Sequence, residues 1–429
     1  MKVKTVCLGV PGKIESIDGD IGAARVGAVA VPVNFMLTPE ARPGDFVLVH
    51  AGFALKVMDS DAVAEALEIF ESVAATRVRM DELYIRLDEL AKGMPAVALM
   101  EVCGTHTVAI ARAGIKARLP KNVNLISGPG CPVCVTPVGE IDMAIELALS
   151  GRARLVSFGD MLRVPGSNMN LDAARGRGAR IDIVYSPRQA LALAERGGEE
   201  VVFLAVGFET TAPVIAAVVK AAAAMGLDNF SVLVSHRLIP PALDALLSAA
   251  SLDGLICPGH VSTVIGWAAY DGVAREHKIP CVVAGFEPVD ILESIAMLLE
   301  ARKTGLAGVA NQYSRSVSRW GSPLARQAID EVFDVADGDW RGLGTIKDSA
   351  LRLRPEFARF DAAARFRLRA RRAPEPEGCR CGEILSGRSA PPDCRLFGAA
   401  CLPERPVGPC MVSSEGACSA AYLYSEAAG

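Results

Sequence analysis

The chain has 429 residues, enough for two to four domains, and its 51% hydrophobic content is that of an ordinary globular protein. A formal net charge of −4 gives no electrostatic footing for nucleic acid or for an anionic membrane surface. The most apolar stretch, Val201 to Met225, is interrupted by Glu209, Pro213 and Lys220, so it reads as a buried strand, a turn and a helix, not as a membrane span. No apolar run of the kind a signal peptide needs follows the charged start Met1-Lys2-Val3-Lys4-Thr5, so a cytoplasmic protein is expected.

The first region, residues 1–76, is strand-rich. Val29, Val31, Val33 and Phe35 alternate, and a second apolar run, Phe46 to His50, follows the turn Pro43-Gly44-Asp45. Val63, Ala66, Leu67, Phe70 and Val73 then take helical spacing, with Ser60 or Asp61 able to cap the helix. Several short strands and one helix in so short a length predict a small OB-like barrel. A linker is expected near Ala74 to Arg79.

The second region, residues 80–373, repeats an apolar strand, a polar loop and a helix. Ala96 to Glu101 leads into Cys103-Gly104-Thr105-His106-Thr107, and Val123 to Ile126 leads into Gly128-Pro129-Gly130-Cys131-Pro132-Val133-Cys134. Val201 to Val206 leads into Gly207-Phe208-Glu209-Thr210-Thr211, Gly254 to Ile256 into Cys257-Pro258-Gly259-His260, and Pro280 to Ala284 into Gly285-Phe286-Glu287-Pro288. The recurring Gly-Phe-Glu is compatible with an old duplication. The pattern predicts α/β lobes with parallel sheets, in which the loops after the strands line the ligand crevice. Toward the end of the region, Arg365, Arg367, Arg369 and Arg371 alternate with Phe366, Leu368 and Ala370, which reads as a half-exposed strand; a docking surface for an acidic partner is the alternative.

The third region, residues 374–429, changes character. Seven prolines and six glycines fall between Pro374 and Gly416, which rules out a long helix or a central strand. Six of the twelve cysteines crowd here: Cys379, Cys381, Cys394, Cys401, Cys410 and Cys418. Soft thiolates on irregular backbone suit an iron–sulfur cluster; zinc, disulfides or free thiols are the alternatives. Cys131 and Cys134 form a Cys-x-x-Cys before a helix, a setting that lowers a thiol pKa and supports dithiol chemistry or metal ligation. Cys103 and His106 stand three apart at a loop-to-helix junction and can present thiolate and imidazole together. Cys257 and His260 repeat that spacing. His236 and Cys281 read as structural. Glu209 and Glu287 are possible ligand partners, but helix-start carboxylates explain them more simply. Cys7 lies beside Leu8-Gly9-Val10-Pro11-Gly12, almost at the terminus.

With these motifs in order, the chain resembles a fusion of two [NiFe]-hydrogenase maturation families, HypC followed by HypD. The HypC likeness lies in Cys-Leu-Gly-Val-Pro-Gly-Lys-Ile (7 to 14) and His-Ala-Gly-Phe-Ala-Leu (50 to 55). The HypD likeness lies in Glu-Val-Cys-Gly-Thr-His-Thr (101 to 107), the Cys131/Cys134 loop, Gly-Phe-Glu-Thr-Thr (207 to 211), Cys-Pro-Gly-His-Val (257 to 261), Gly-Phe-Glu-Pro (285 to 288) and Cys-Met-Val-Ser-Ser-Glu-Gly-Ala-Cys (410 to 418). The resemblance implies a scaffold for assembling the iron centre that carries cyanide and carbon monoxide. The iron would be held by Cys7 and Cys103, with His50 and His106 hydrogen-bonding around it. It also implies a [4Fe-4S] cluster on cysteines separated by 12, 6 and 16 residues, matched by Cys381, Cys394, Cys401 and Cys418 and leaving Cys379 and Cys410 without a role. Cys131 and Cys134 match a redox-active dithiol. The implied partners are a HypE-type cyanide donor and the hydrogenase large-subunit precursor. The chemical alternative is a free-standing iron–sulfur thiol–disulfide oxidoreductase. In HypC the cysteine follows the initiator methionine; here Val6 occupies that place, so translation from Val6 is expected.

Overall fold

The computed structural model describes residues 10–26, 29–50 and 53–424. The chain divides into two compact units, with the division between Glu82 and Leu83.

In the first unit, β1 (Val10–Asp18), β2 (Ile21–Val26), β3 (Val29–Asn34), β4 (Phe46–His50) and β5 (Phe53–Met58) close into a barrel of order β1-β2-β3-β5-β4. Its core is Ile14, Ala24, Val33, Phe35, Val47, Val49 and Ala54. The expected alternation in β3 holds only at its inner end: Val33 and Phe35 are buried, whereas Val29 is 62% exposed. Cys7 and Val6 lie outside the described residues.

A single helix, α1 (Ser60–Ala91), follows. Two expectations change here. The helix begins with Val63 N–H donating to Asp59 O, which makes Asp59, not Ser60 or Asp61, the capping position. The linker expected near Ala74 to Arg79 is helical. That stretch contains neither glycine nor proline, so nothing in it stops the helix.

The second unit builds both lobes and the cysteine-rich segment. β6 (Val97–Glu101) and β7 (Val123–Ser127) start the first sheet, and β8 (Arg154–Ser157), β9 (Ile181–Ile183), β10 (Val201–Gly207) and β11 (Phe230–His236) form the second. The chain then returns to the first sheet with β12 (Gly254–Pro258), β13 (Pro280–Ala284) and β14 (Gly308–Asn311). The orders are β14-β13-β12-β6-β7 and β11-β10-β8-β9. Every pairing in both sheets is parallel. Strands covered on both faces should be apolar throughout, and all seven residues of β10 are buried. A hairpin, β15 (Phe333–Trp340) and β16 (Gly344–Leu353), completes the lobes.

The arginine-rich stretch is not a strand. Residues Ala362–Phe366 form a short helix capped by the Asp361 side chain, and Arg367 closes it at φ 55°. Phe366 and Leu368 are both buried in the second lobe, so two apolar anchors two residues apart imitate strand periodicity from either side of a helix end. Among the described residues the terminal segment holds only short helices, and its Ile384, Leu385 and Met411 share one core with Met100, Val135 and Leu255 of the lobes.

Candidate functional site

The loops after β6, β7, β12 and β13 leave the same end of one sheet, and there Cys103 sits. It is extended (φ −153°, ψ 124°) and opens the helix α2 (Gly104–Arg112). Gly104 N donates to Gly130 O at 3.0 Å, and a Cβ on Gly130 would lie 2.2 Å from Cys103 N, so only glycine lets the β7 loop approach this closely. Beneath the loop, buried Glu101 accepts from Cys103 N–H at 3.0 Å and from Thr107 Oγ1 at 2.6 Å. Burial pushes the Glu101 carboxyl up to about 7. Burial likewise pushes the Cys103 thiol up to about 12, opposed by the backbone N–H groups of His106 and Thr105 that face its sulfur. A thiol so placed keeps its proton until a cation replaces it.

His106 is fully buried. Its Nε2 donates to Gly285 O at 2.8 Å, which fixes the tautomer and leaves Nδ1 as an acceptor with no partner among the described residues. Burial lowers its pKa to about 4, so the ring is neutral. Phe286 lies between two imidazoles, with ring centroids 4.9 Å from His106 and 3.9 Å from His260. From the terminal segment, Glu415 accepts from Thr105 Oγ1 at 2.9 Å and closes over Gly104, where a Cβ would lie 2.6 Å from its own.

Cys131 opens the short helix Pro132–Val135 and Cys134 sits within it. The two thiols separate in character. The hydrogen bond from Cys131 lowers Cys134 to about 5, aided by one from Cys410 and by the charge of Arg341, against burial. The same bond raises Cys131 well above the ordinary thiol range. The neighbouring thiols and the Arg341 charge thus favour ionisation at Cys134 over Cys131, while Cys134 Sγ also lies 3.8 Å from Pro409 O.

The six terminal cysteines, with Ile384, Leu396, Phe397, Gly408 and Met411, line one small cavity that no oxygen- or nitrogen-bearing side chain enters. Cys381 Sγ and Cys410 Sγ are 2.7 Å apart. Val407 N–H donates to Cys401 Sγ at 3.3 Å, and a Cβ on Gly408 would lie 2.5 Å from Cys379 Sγ. Among the described residues no three His, Cys, Asp or Glu side chains are placed to hold a single metal ion.

Other expected residues fall elsewhere. Glu209 accepts from Ile239 N–H at 2.8 Å and so caps a helix, and Glu287 starts the helix Pro288–Thr304. His236 Nε2 is 3.1 Å from Thr211 Oγ1, inside the second lobe. Cys257 and Cys281 are buried on adjacent strands. His50 ends β4, and its side chain lies outside the described residues. Glu101, Glu415 and Arg341 were not singled out from sequence. Glu101 and Glu415 lie inside the cysteine motifs and were open to notice; Arg341 is brought in from more than two hundred residues away.

Two parallel α/β lobes, their cysteine-bearing loops gathered at one end and a thiol-lined cavity beside them, define a thiol-based α/β protein fused to a small barrel. A family model described as the hydrogenase formation hypA family, HypD, matches residues 79–425, and the HupF/HypC family model matches residues 6–70. The chain belongs to the HypD family and carries a HypC-type module at its N-terminus. Similar proteins include the hydrogenase maturation factor HypD of Cupriavidus necator, 48% identical over 76% of this chain and 89% of the relative. Those of Azotobacter vinelandii and Escherichia coli are 49% and 46% identical, each again over 76% of this chain and 89% of the relative. The chain is a hydrogenase maturation factor. No described helix is long and apolar enough to cross a membrane.

Proposed function

We propose that this chain is the scaffold on which the iron centre of a [NiFe]-hydrogenase acquires its cyanide and carbon monoxide ligands. Iron is the cargo, held between Cys7 of the HypC-type module and Cys103. The observation that carries the reading is the setting of Cys103: a thiol at a helix start, backed by the Glu101 carboxyl, with the backbone N–H of the neutral His106 facing its sulfur. Backbone N–H groups aimed at the sulfur stabilise it as an anion once the metal displaces its proton. His50 and His106 would hydrogen-bond around the iron. A HypE-type protein would supply cyanide, and the hydrogenase large-subunit precursor would receive the finished centre.

The terminal cavity fits a resident [4Fe-4S] cluster, but with a ligand set different from the one expected by resemblance. Two sulfurs 2.7 Å apart cannot serve two corners of one cluster, so Cys381 and Cys410 read as a thiol pair. Cys379, Cys394, Cys401 and Cys418 remain as ligands. A cluster there would accept and release single electrons. The protein's own part is a sequence of thiol exchanges. The Cys134 thiolate attacks Cys410 Sγ of a Cys381–Cys410 disulfide, and Cys381 leaves as thiolate. Cys131, giving up its proton, then attacks Cys134 Sγ and releases Cys410. Two electrons pass from Cys131 and Cys134 to Cys381 and Cys410, and since all four are free thiols here, forming the starting disulfide takes a two-electron acceptor from outside the chain. A free-standing oxidoreductase is disfavoured by burial: Cys131 and Cys134 are 3% and 0% exposed, out of reach of a protein disulfide.

The test is infrared spectroscopy of the anaerobically purified chain with Cys103→Ala beside it. Cyanide and carbon monoxide bands should be present in the parent and absent from the variant. Bands that persist in the variant would overturn the role of Cys103.

A further inference from the structure

The turn between β15 and β16 carries Arg341, whose side chain is fully buried. Nε donates to Thr136 O at 2.8 Å and the backbone N–H donates to Val135 O at 2.9 Å. Both acceptors end the short helix that holds Cys134. Nη1 reaches Glu375 Oε2 at 2.9 Å, and Nη2 is buried with no partner among the described residues. On its far side the turn touches the other thiol pair: a Cβ on Gly342 would lie 2.2 Å from the Cα of Gly382, the neighbour of Cys381. Trp340 anchors the turn, stacked on Phe208 with Nε1 donating to Ser349 Oγ at 2.9 Å. One rigid turn is thus wedged between the Cys131/Cys134 loop and the helix that starts at Cys381.

We propose that Arg341 is a positioning residue for the thiol relay: its guanidinium clamps the end of the Cys131–Cys134 turn and stabilises the Cys134 thiolate, making that couple more oxidising and selecting Cys134 as the attacking sulfur. A buried cation without full hydrogen-bond satisfaction is costly unless an anion answers it. Glu375 answers part of the charge, and its side chain is 35% exposed, so solvent weakens that pair. The groups facing Cys134 are Cys131 on its own turn, Cys410 on the terminal segment, Arg341 on the hairpin, and Glu415, which acts against the thiolate. Arg341 is the cation among them. A dithiol whose reduced form is stabilised as thiolate has a raised potential.

The role rests on the relay reading, and the experiment separates the two. The full-length chain is equilibrated anaerobically in dithiothreitol redox buffers from pH 6 to 8 and acid-quenched, and the Cys131–Cys134 disulfide is scored by mass spectrometry. With Cys134 ionised, one proton accompanies two electrons, so the midpoint falls with pH at half the two-proton slope. Arg341→Gln should restore the full slope and lower the midpoint by about 30 mV for each tenfold loss of thiolate stabilisation. Arg341→Lys should keep the half slope. Glu375→Gln, which leaves Arg341 in place and changes a solvent-reached side chain, should raise the midpoint and covers the case in which Arg341→Gln fails to fold. A parental slope and midpoint in Arg341→Gln, equal losses in the Lys and Gln variants, or an unmoved midpoint in Glu375→Gln would each overturn the proposal. The relay is tested separately: Cys131→Ser should trap a Cys134–Cys410 disulfide, and its absence with Arg341 behaving as stated would refute the relay alone.

Discussion

At the scale of single residues, proximity decides what composition leaves open. Six terminal cysteines are chemically alike in sequence, yet a contact of 2.7 Å joins Cys381 to Cys410. Cys379→Ala should lose cluster iron and acid-labile sulfide, while Cys381→Ala should retain both. The opposite pattern would restore the set matched by spacing. Glu209 provides a pH test away from the metal sites. Burial raises its carboxyl to about 7 from 4.5, and its Oε2 has no hydrogen-bond partner among the described residues. The folded state therefore holds this proton more tightly than the unfolded state, so its contribution to stability falls as pH rises from 4.5 through 7. Glu209→Gln keeps an acceptor for Ile239 N–H and removes the charge. Denaturation midpoints of variant and parent should coincide near pH 4.5 and diverge by pH 8, with the variant more stable by on the order of 3 kcal/mol. A constant difference across that range would refute the assignment.

At the scale of elements, glycines and helix ends set what the loops can do. Gly130→Ala forces a Cβ to within 2.2 Å of Cys103 N and 2.4 Å of its Cα, so the β7 loop and α2 must part. We expect loss of the infrared bands with the cluster's visible absorbance retained, because the terminal cavity draws no residue from that loop. The helix α1 makes a second prediction. Trypsin needs extended backbone, so Arg77 and Arg79 should be cut slowly although both are exposed. Rapid cleavage there would support the flexible linker expected from sequence. That expectation came from placing a boundary between two motif sets, whereas helix propagation depends on local propensity and ignores such boundaries. The arginine-rich stretch misled for a related reason: two buried anchors fix a period of two only if the backbone between them is extended, and Asp361 and Arg367 bend it.

At the scale of the whole molecule, the cysteine-rich segment is part of the lobes' core. Ile384, Leu385 and Met411 are at most 2% exposed, and each buried side chain of this size contributes about 1.5–3 kcal/mol. Truncation after Ala373 should therefore lower the thermal midpoint of the lobes or leave them insoluble. A truncated chain with the parental midpoint would mark the segment as an independent module. The first sheet also depends on chain return: β12 lies between β6 and β13, so β6 and β7 wait for residues more than a hundred positions later. Long-range pairing of this kind slows folding and couples the lobes' stability.

The sequence by itself determined the barrel, the parallel lobes, the position of the cysteine loops after strands, and the two families. These rest on periodicities, turn residues and motifs that are local in the chain. Only the tertiary structure decided which sulfurs meet and that Arg341 holds the end of the turn carrying Cys134. Pairing, burial and electrostatic neighbourhood are distances in space. Residues 29 positions apart, such as Cys381 and Cys410, or more than two hundred apart, such as Thr136 and Arg341, acquire those distances only when the whole core closes.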